Sequence, residues 1–144
     1  MYYQNNNVDV GTAMILINTA MEIVINDQRK INAVQDDFNK IFPYLKLEFF
    51  SKSHNPGEAN SKKYLTPHNK TIGEYRLRKG DTKTIVITPE MTVNDLEQRF
   101  GNIYGLGVQV FRQSGRVWLE TTVTDSWTLR EQNRQGEELS KVVH

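Results

Sequence analysis

Residues 23–42, IVINDQRKINAVQDDFNKIF, align without a gap on residues 85–104, IVITPEMTVNDLEQRFGNIY. Six of the twenty positions are identical, and three more exchange one apolar residue for another. A shorter match follows each segment, because residues 47–50 (LEFF) align on residues 108–111 (VQVF). Such self-similarity indicates one structural unit that occurs twice. Since the shared positions are mostly apolar, they predict a common architecture and say little about a common chemistry.

Each unit has the pattern of a strand, a helix and a second strand. The β-branched runs 23–25 and 85–87 are typical of buried strands. Apolar residues then recur at intervals of three and four, which predicts one amphipathic helix in each unit. These residues are Ile31, Val34, Phe38 and Ile41 in the first unit and Val93, Leu96, Phe100 and Ile103 in the second. Alternating apolar and polar residues predict the strand that follows each helix.

Single residues set the expected limits of these elements. Thr92 is the predicted cap of the second helix, with Asp95 three residues later. Pro43 and Gly105 mark the helix ends. The Ser-Gly pair within residues 113–116 predicts a hairpin. A closing helix is expected between Asp125 or Ser126 and Gly136.

The predicted fold class is α+β. Two duplicated β-α-β units are expected to form a mixed sheet with the helices on one face, a ferredoxin-like arrangement, with a ubiquitin-like β-grasp as the alternative. Residues 21–136 form the predicted domain, with repeats at 21–80 and 81–136. Residues 137–144 are expected to fray. Residues 1–20 match nothing in the second unit. They are predicted to be a disordered or non-native extension before a natural start at Met21, or to supply an edge strand at 14–17.

Two resemblances add to this pattern. The strings FPYLKLEFF (42–50), VNDLEQRFG (93–101) and VQVFRQSGRVWLETTVTDSWTLREQN (108–133) resemble an uncharacterised family of small proteins from Bacteroidota. That resemblance implies no activity, ligand or catalytic residue. The segment KTIGEYRLRKGDTKTIVIT (70–88) is similar to the closing part of ubiquitin-like β-grasp domains. The sequence ends KVVH, without the diglycine that conjugation needs, so no modifier role follows.

Composition restricts the class of protein. The chain has 144 residues, 38% hydrophobic and 24% charged residues, and a net charge of +1, as expected of a globular domain. It contains no cysteine, which excludes a thiolate metal site or a cysteine nucleophile in this sequence and fits a reducing compartment. The start lacks a basic, then apolar, secretory pattern, and no apolar run has the length of a membrane span. The expectation is a cytoplasmic protein.

No motif predicts catalysis or a cofactor. The three histidines, His54, His68 and His144, occur in no metal-binding pattern. The neighbouring carboxylates at 36–37 and 137–138 are expected to be solvated. The glycines of residues 101–107 follow a helix, whereas a phosphate-binding loop precedes one.

Charge and aromatic residues suggest an interaction role instead. Residues 62–83 contain seven basic and two acidic residues, which is typical either of a binding surface or of a solvated connector. Most aromatic residues near the strands are expected in the core, but Phe50 and Trp118 interrupt the polar side of their strands and are predicted to be exposed.

The sequence therefore predicts a non-enzymatic, cytoplasmic protein-interaction or adaptor domain without a cofactor, a metal or a membrane contact. The alternative is a nucleic-acid-binding module that uses the basic segment 62–83. The predicted partner-binding residues are Phe50, Tyr75, Arg76, Arg78, Lys79, Lys83 and Trp118.

Overall fold

The structure, a computed structural model, describes residues 21–51, 65, 68–76 and 84–141. Within these ranges the elements are β1 (Ile23–Ile25), α1 (Ile31–Ile41), β2 (Leu45–Phe50), α2 (Ile72–Tyr75), β3 (Ile85–Ile87), α3 (Val93–Tyr104), β4 (Gly107–Ser114), β5 (Val117–Glu120) and α4 (Leu129–Lys141). The predicted α+β class is confirmed. The predicted extension at 1–20, including its alternative strand at 14–17, lies outside the described residues.

The described strands form two antiparallel sheets. One sheet pairs β1 with β3, and the other has the order β2-β4-β5. The described strands do not form the predicted single mixed sheet, because the two strands of each unit lie in different sheets and pair with strands of the other unit. Alternating hydrophobicity fixes which face of a strand is buried, but it does not specify the neighbouring strand.

The strand registers pair aligned positions of the two units. In the first sheet Val24 lies opposite Val86, its counterpart in the alignment of residues 23–42 with 85–104. In the second sheet Glu48 lies opposite Gln109, which is its counterpart in the alignment of residues 47–50 with 108–111. Each ladder is therefore arranged symmetrically about one pair of aligned residues.

Backbone hydrogen bonds also recur at aligned positions. In the first unit they run from the amides of Ile31, Asn32, Ile72 and Gly73 to the carbonyls of Lys70, His68, Arg29 and Asp27. In the second unit they run from the amides of Val93, Asn94, Leu129 and Arg130 to the carbonyls of Trp127, Asp125, Met91 and Pro89. These bonds fasten the start of α1 to the segment that leads into α2, and the start of α3 to the segment that leads into α4.

The predicted helix limits of the two central helices are confirmed. The Thr92 hydroxyl accepts a hydrogen bond from the Asp95 amide at 3.0 Å, which caps α3. Gly105 ends α3 with a left-handed backbone, at φ 69°. α1 ends at Ile41, two residues before Pro43. None of the helices in the described ranges combines the length and the apolar character needed to cross a bilayer.

The two apolar stripes meet in one core. Phe38 of α1 and Phe100 of α3 are both fully buried, as predicted. The Phe100 ring contacts Phe49 of β2 edge-on, with the ring centres 5.4 Å apart. The Tyr104 hydroxyl donates a hydrogen bond to the Ile25 carbonyl at 3.2 Å and so joins α3 to β1. Burial of each such aromatic ring contributes about 1.5–3 kcal/mol to stability.

The closing helix differs from the prediction at both ends. It begins at Leu129, where the Thr128 hydroxyl accepts a hydrogen bond from the Glu131 amide at 3.1 Å, so neither Asp125 nor Ser126 is the cap. It continues through Gly136 to Lys141, so it extends past the predicted end at Gly136 and includes residues 137–141. Gly136 is buried against Tyr44, so this glycine allows close packing and does not end the helix.

Candidate functional site

The three-stranded sheet has an inner and an outer face. On the inner face, buried Leu47 lies opposite buried Val110. On the outer face, Lys46 lies opposite Phe111, and Trp118 lies opposite Gln113 on the next strand. At β2 and β4 the inner face belongs to the core, so these two strands can meet another molecule through their outer face.

One end of the outer face is closed. Gln109 is 1% exposed and Phe50 is 4% exposed. Phe50 forms a bridge with Leu65 and lies opposite Gly107. The prediction that Phe50 is exposed is therefore wrong. Leu65, from a later part of the chain, pairs beside Phe50, and the local alternation of β2 does not reveal this neighbour.

The other end of the outer face is open and carries a cation between two rings. The Lys46 ammonium lies 5.2 Å from the centre of the Phe111 ring and 5.1 Å from the centre of the Trp118 ring. Such contacts contribute about 0.5–1 kcal/mol each at exposed sites and hold the three side chains together. We call Lys46, Phe111 and Trp118 the outer aromatic patch. Trp118 is 36% exposed, which confirms the predicted exposure of this residue.

β5 adjoins this patch and forms one edge of the sheet. Among the described residues it pairs with β4 alone. All four of its residues are exposed, including three large apolar side chains: Val117 at 55%, Trp118 at 36% and Leu119 at 42%. An edge strand directs unpaired backbone groups outward, and natural proteins usually protect such edges with charges, prolines or a covering element. An apolar edge of this kind is suited to pairing with another strand.

Arg76, one of the basic residues predicted to bind a partner, does not lie on the surface. Arg76 is 4% exposed, and its guanidinium donates to both carboxylate oxygens of Asp27, at 2.9 and 3.1 Å. It also lies over the Tyr104 ring, 4.9 Å from the ring centre. Tyr75 is half-buried and packs against the core. The prediction that Arg76 is a contact residue at the surface is therefore wrong, because its side chain joins the end of α2 to the β1–α1 loop and to α3.

Three further predicted residues, Arg78, Lys79 and Lys83, lie outside the described residues. Of the seven predicted partner-binding residues, the structure thus places Trp118 on an open surface. Phe50 and Arg76 lie in the interior, on different elements. The structure does not bring these residues together into one site.

A buried carboxyl group was missed by the sequence prediction. Glu97 of α3 is 5% exposed, and burial together with the nearby Asp125 raises the pKa of the Glu97 carboxyl to about 8. The available signal was its position, four residues after Val93 and three before Phe100, on the apolar stripe. At neutral pH the raised pKa favours the neutral, protonated form of the Glu97 carboxyl.

Potential metal-binding chemistry is sparse in the described ranges. His68 lies 3.2 Å from the Glu48 carboxylate on the outer face. No group of three or more potential ligands from His, Cys, Asp and Glu occurs among the residues that the structure describes. Two surface depressions, of about 440 and 540 Å³, lie beside Thr88 and Glu90. Glu97 lines neither of them.

Fold and surface together define an α+β protein with an apolar sheet edge beside an aromatic patch. Comparisons with protein-family models, with curated proteins and with solved structures gave no match. The resemblance to the Bacteroidota family stays a prediction of the sequence.

Proposed function

We propose that this chain is a non-enzymatic protein-interaction domain that receives an extended segment of a partner protein along the β5 edge. The observation that supports the proposal is the exposure of Val117, Trp118 and Leu119 on a strand with one described neighbour. In strand addition, the main-chain hydrogen bonds of the edge supply affinity, and the alternate side chains supply specificity.

The two rows of side chains give the edge its selectivity. Trp118 points to the outer face, where it extends the outer aromatic patch with Lys46 and Phe111. Val117 and Leu119 point to the other face and offer aliphatic contacts. A partner strand with an acidic or aromatic residue on one face and aliphatic residues on the other fits this arrangement, because Lys46 supplies the positive charge.

Nucleic-acid binding receives no support from the described residues. Arg76 is used in the buried ion pair with Asp27, and the overall charge is close to neutral. The aromatic patch contains one cation, whereas a nucleic-acid surface gathers several.

For the architecture we propose a ferredoxin-like origin in preference to a β-grasp. Two strand-helix-strand units interlock through the antiparallel pair β1–β3, and their aligned residues form the same backbone hydrogen bonds. The pairing of β2 with β4 is the departure from a single ferredoxin-like sheet. An experimental structure in which β1 and β3 are not antiparallel neighbours would contradict this origin.

The interaction function is tested by selecting binders from a phage-displayed library of linear peptides. Bound peptides are expected to slow hydrogen exchange of the β5 amides. Trp118→Ala should weaken the binding of a selected peptide by about tenfold, as expected for a central aromatic contact. Val123→Ala is the matched control, because Val123 is an apolar residue that is 95% exposed and lies outside every strand. Peptides that bind without protecting β5, or that bind Trp118→Ala equally well, contradict the proposal.

A further inference from the structure

We infer that the strand received by the β5 edge is β5 of a second copy of this chain. This inference rests on the proposed function, since it names the partner of the same edge. It commits to an antiparallel pairing in which Trp118 lies opposite Trp118 of the second copy. The evidence is the direction of the backbone groups and the order of charges along the strand.

The hairpin geometry fixes which backbone groups point outward. Ser114 and Val117 lie opposite each other on either side of a two-residue turn, and Gly115 has φ 64°, as the first position of a type II′ turn requires. The residue pair that closes such a turn exchanges both of its hydrogen bonds. By alternation, the N–H and C=O groups of Trp118 and Glu120 point away from β4.

This alternation limits the possible registers. Two edges can pair only where outward-pointing residues face each other, so the allowed registers differ by steps of two residues. Of these, the register centred on Trp118 brings Arg116, the turn residue directly before β5, alongside Glu120 of the second copy. Two-fold symmetry repeats the contact, so the dimer contains two such pairs, each of a positive and a negative side chain. Arg116 and Glu120 are both exposed and available for this contact.

The remaining side chains are complementary in the same register. On the other face, Val117 lies opposite Leu119 of the second copy, so that two exposed aliphatic residues cover each other. The segment Arg-Val-Trp-Leu-Glu is therefore complementary to an antiparallel copy of itself. Each charged residue lies opposite a residue of opposite charge, and each apolar residue lies opposite an apolar one. A shift by two residues would set Trp118 against Glu120 and remove both charge contacts.

The pairing also extends the outer face. A two-fold axis perpendicular to the sheet keeps the outer faces on one side, so two three-stranded sheets would continue as one. The two outer aromatic patches would then meet at the paired Trp118 side chains. The β5 edge is thereby protected from open-ended association, because one two-fold pairing occupies the β5 edges of both copies.

Charge exchange provides the test, with sedimentation equilibrium of the full chain as the measurement. Dimerisation is expected for the wild type. Arg116→Glu alone and Glu120→Arg alone should each weaken it by at least about tenfold, because both contacts become repulsive. The double variant Arg116→Glu/Glu120→Arg should return to within about threefold of the wild type. An equimolar mixture of the two single variants should form a heterodimer, since their charges complement each other.

Several results would overturn the inference. The inference is overturned if the wild-type chain stays monomeric at high micromolar concentration. It is also overturned if the charge reversals leave the dimer unchanged. Slow exchange of the Trp118 and Glu120 amides in a monomer would show that another segment of the same chain covers the edge. In each case the peptide selection tests the proposed function independently of the dimer. Selected peptides that protect β5 would support the interaction function, and the absence of such peptides would contradict it. Circular dichroism and thermal melting of each variant confirm that these exposed substitutions preserve the fold.

Discussion

Gly136 of α4 packs directly against Tyr44, where a Cβ at position 136 would lie 2.8 Å from the Tyr44 Cβ and 3.1 Å from the Arg112 Cγ. An alanine at an ordinary helix position stabilises a protein by about 0.5–1 kcal/mol relative to glycine. At position 136 the added methyl group forces neighbouring atoms apart, and such overpacking costs about 1–3 kcal/mol. Gly136→Ala is therefore expected to lower the free energy of unfolding, measured by urea denaturation.

Gly101→Ala in α3 is the matched control, because Gly101 is half-buried within a helix. It is expected to change stability by less than about 1 kcal/mol. A Gly136→Ala variant as stable as the wild type would mean that α4 does not approach β2 and β4 this closely.

Arg76 gives a second prediction. Arg76→Ala removes the partner of the partly buried Asp27 carboxylate and the contact with the Tyr104 ring. Loss of one member of a buried ion pair costs about 3–5 kcal/mol, and the 31% exposure of Asp27 places the expected loss near the lower value. Thermal and chemical denaturation measure this loss.

The control for Arg76 is Arg130→Ala. Arg130 pairs with Glu90 at 2.7 Å, but both side chains are more than half exposed. Its loss is expected to cost less than about 1 kcal/mol. Equal effects of the two substitutions would contradict the buried position of Arg76.

These cases show what local patterns can and cannot predict. The stripes that contain Phe38 and Phe100 were recognisable because helical periodicity repeats within a few residues. The partner of each strand was not, because pairing joins segments such as 45–50 and 107–112 that are distant in sequence. A glycine is typical of a helix end, and only the contact of Gly136 with Tyr44 shows why this glycine lies inside α4.

The candidate surface was predictable to a similar extent. The exposure of Trp118 follows from its position beside a hairpin turn on a strand with no further described neighbour. Phe50 has the same local pattern but is buried, and it forms a bridge with Leu65. Arg76 belongs to a basic segment, yet its charge is matched by Asp27, which is far away in the sequence. Tertiary contacts decide all three outcomes.

Glu97 leads to a prediction about pH. The pKa of this carboxyl is raised from 4.5 to about 8 in the folded state, so the folded protein holds a proton that the unfolded chain has released at intermediate pH. The free energy of unfolding should therefore fall as the pH rises from about 4.5 to about 8. The total fall is several kcal/mol, given about 1.4 kcal/mol per pKa unit.

Glu97→Gln should remove most of this slope, because the amide stays neutral and keeps a similar shape. The variant is expected to match the wild type below pH 4.5 and to be more stable at pH 8. Glu138→Gln, at an exposed position of α4, is the control and should leave the slope unchanged. Chemical denaturation at a series of pH values measures the effect, and parallel curves for Glu97→Gln and the wild type would contradict it.

The start of α1 offers a way to increase stability. Lys30 occupies the cap position with φ −76° and ψ 144°, close to the φ −77° and ψ 159° of Thr92 at the start of α3, but Lys30 makes no side-chain cap. Lys30→Thr is expected to supply a hydroxyl acceptor for the Ala33 amide, the counterpart of the Asp95 amide. It also removes a positive charge from the positive end of the helix. The expected gain is about 0.5–1 kcal/mol, and the reciprocal Thr92→Lys should lose a similar amount. Urea denaturation of both variants measures these changes in the free energy of unfolding. A loss of stability in Lys30→Thr would mean that the two helices do not begin in the same way, despite their aligned sequences and matching backbone hydrogen bonds.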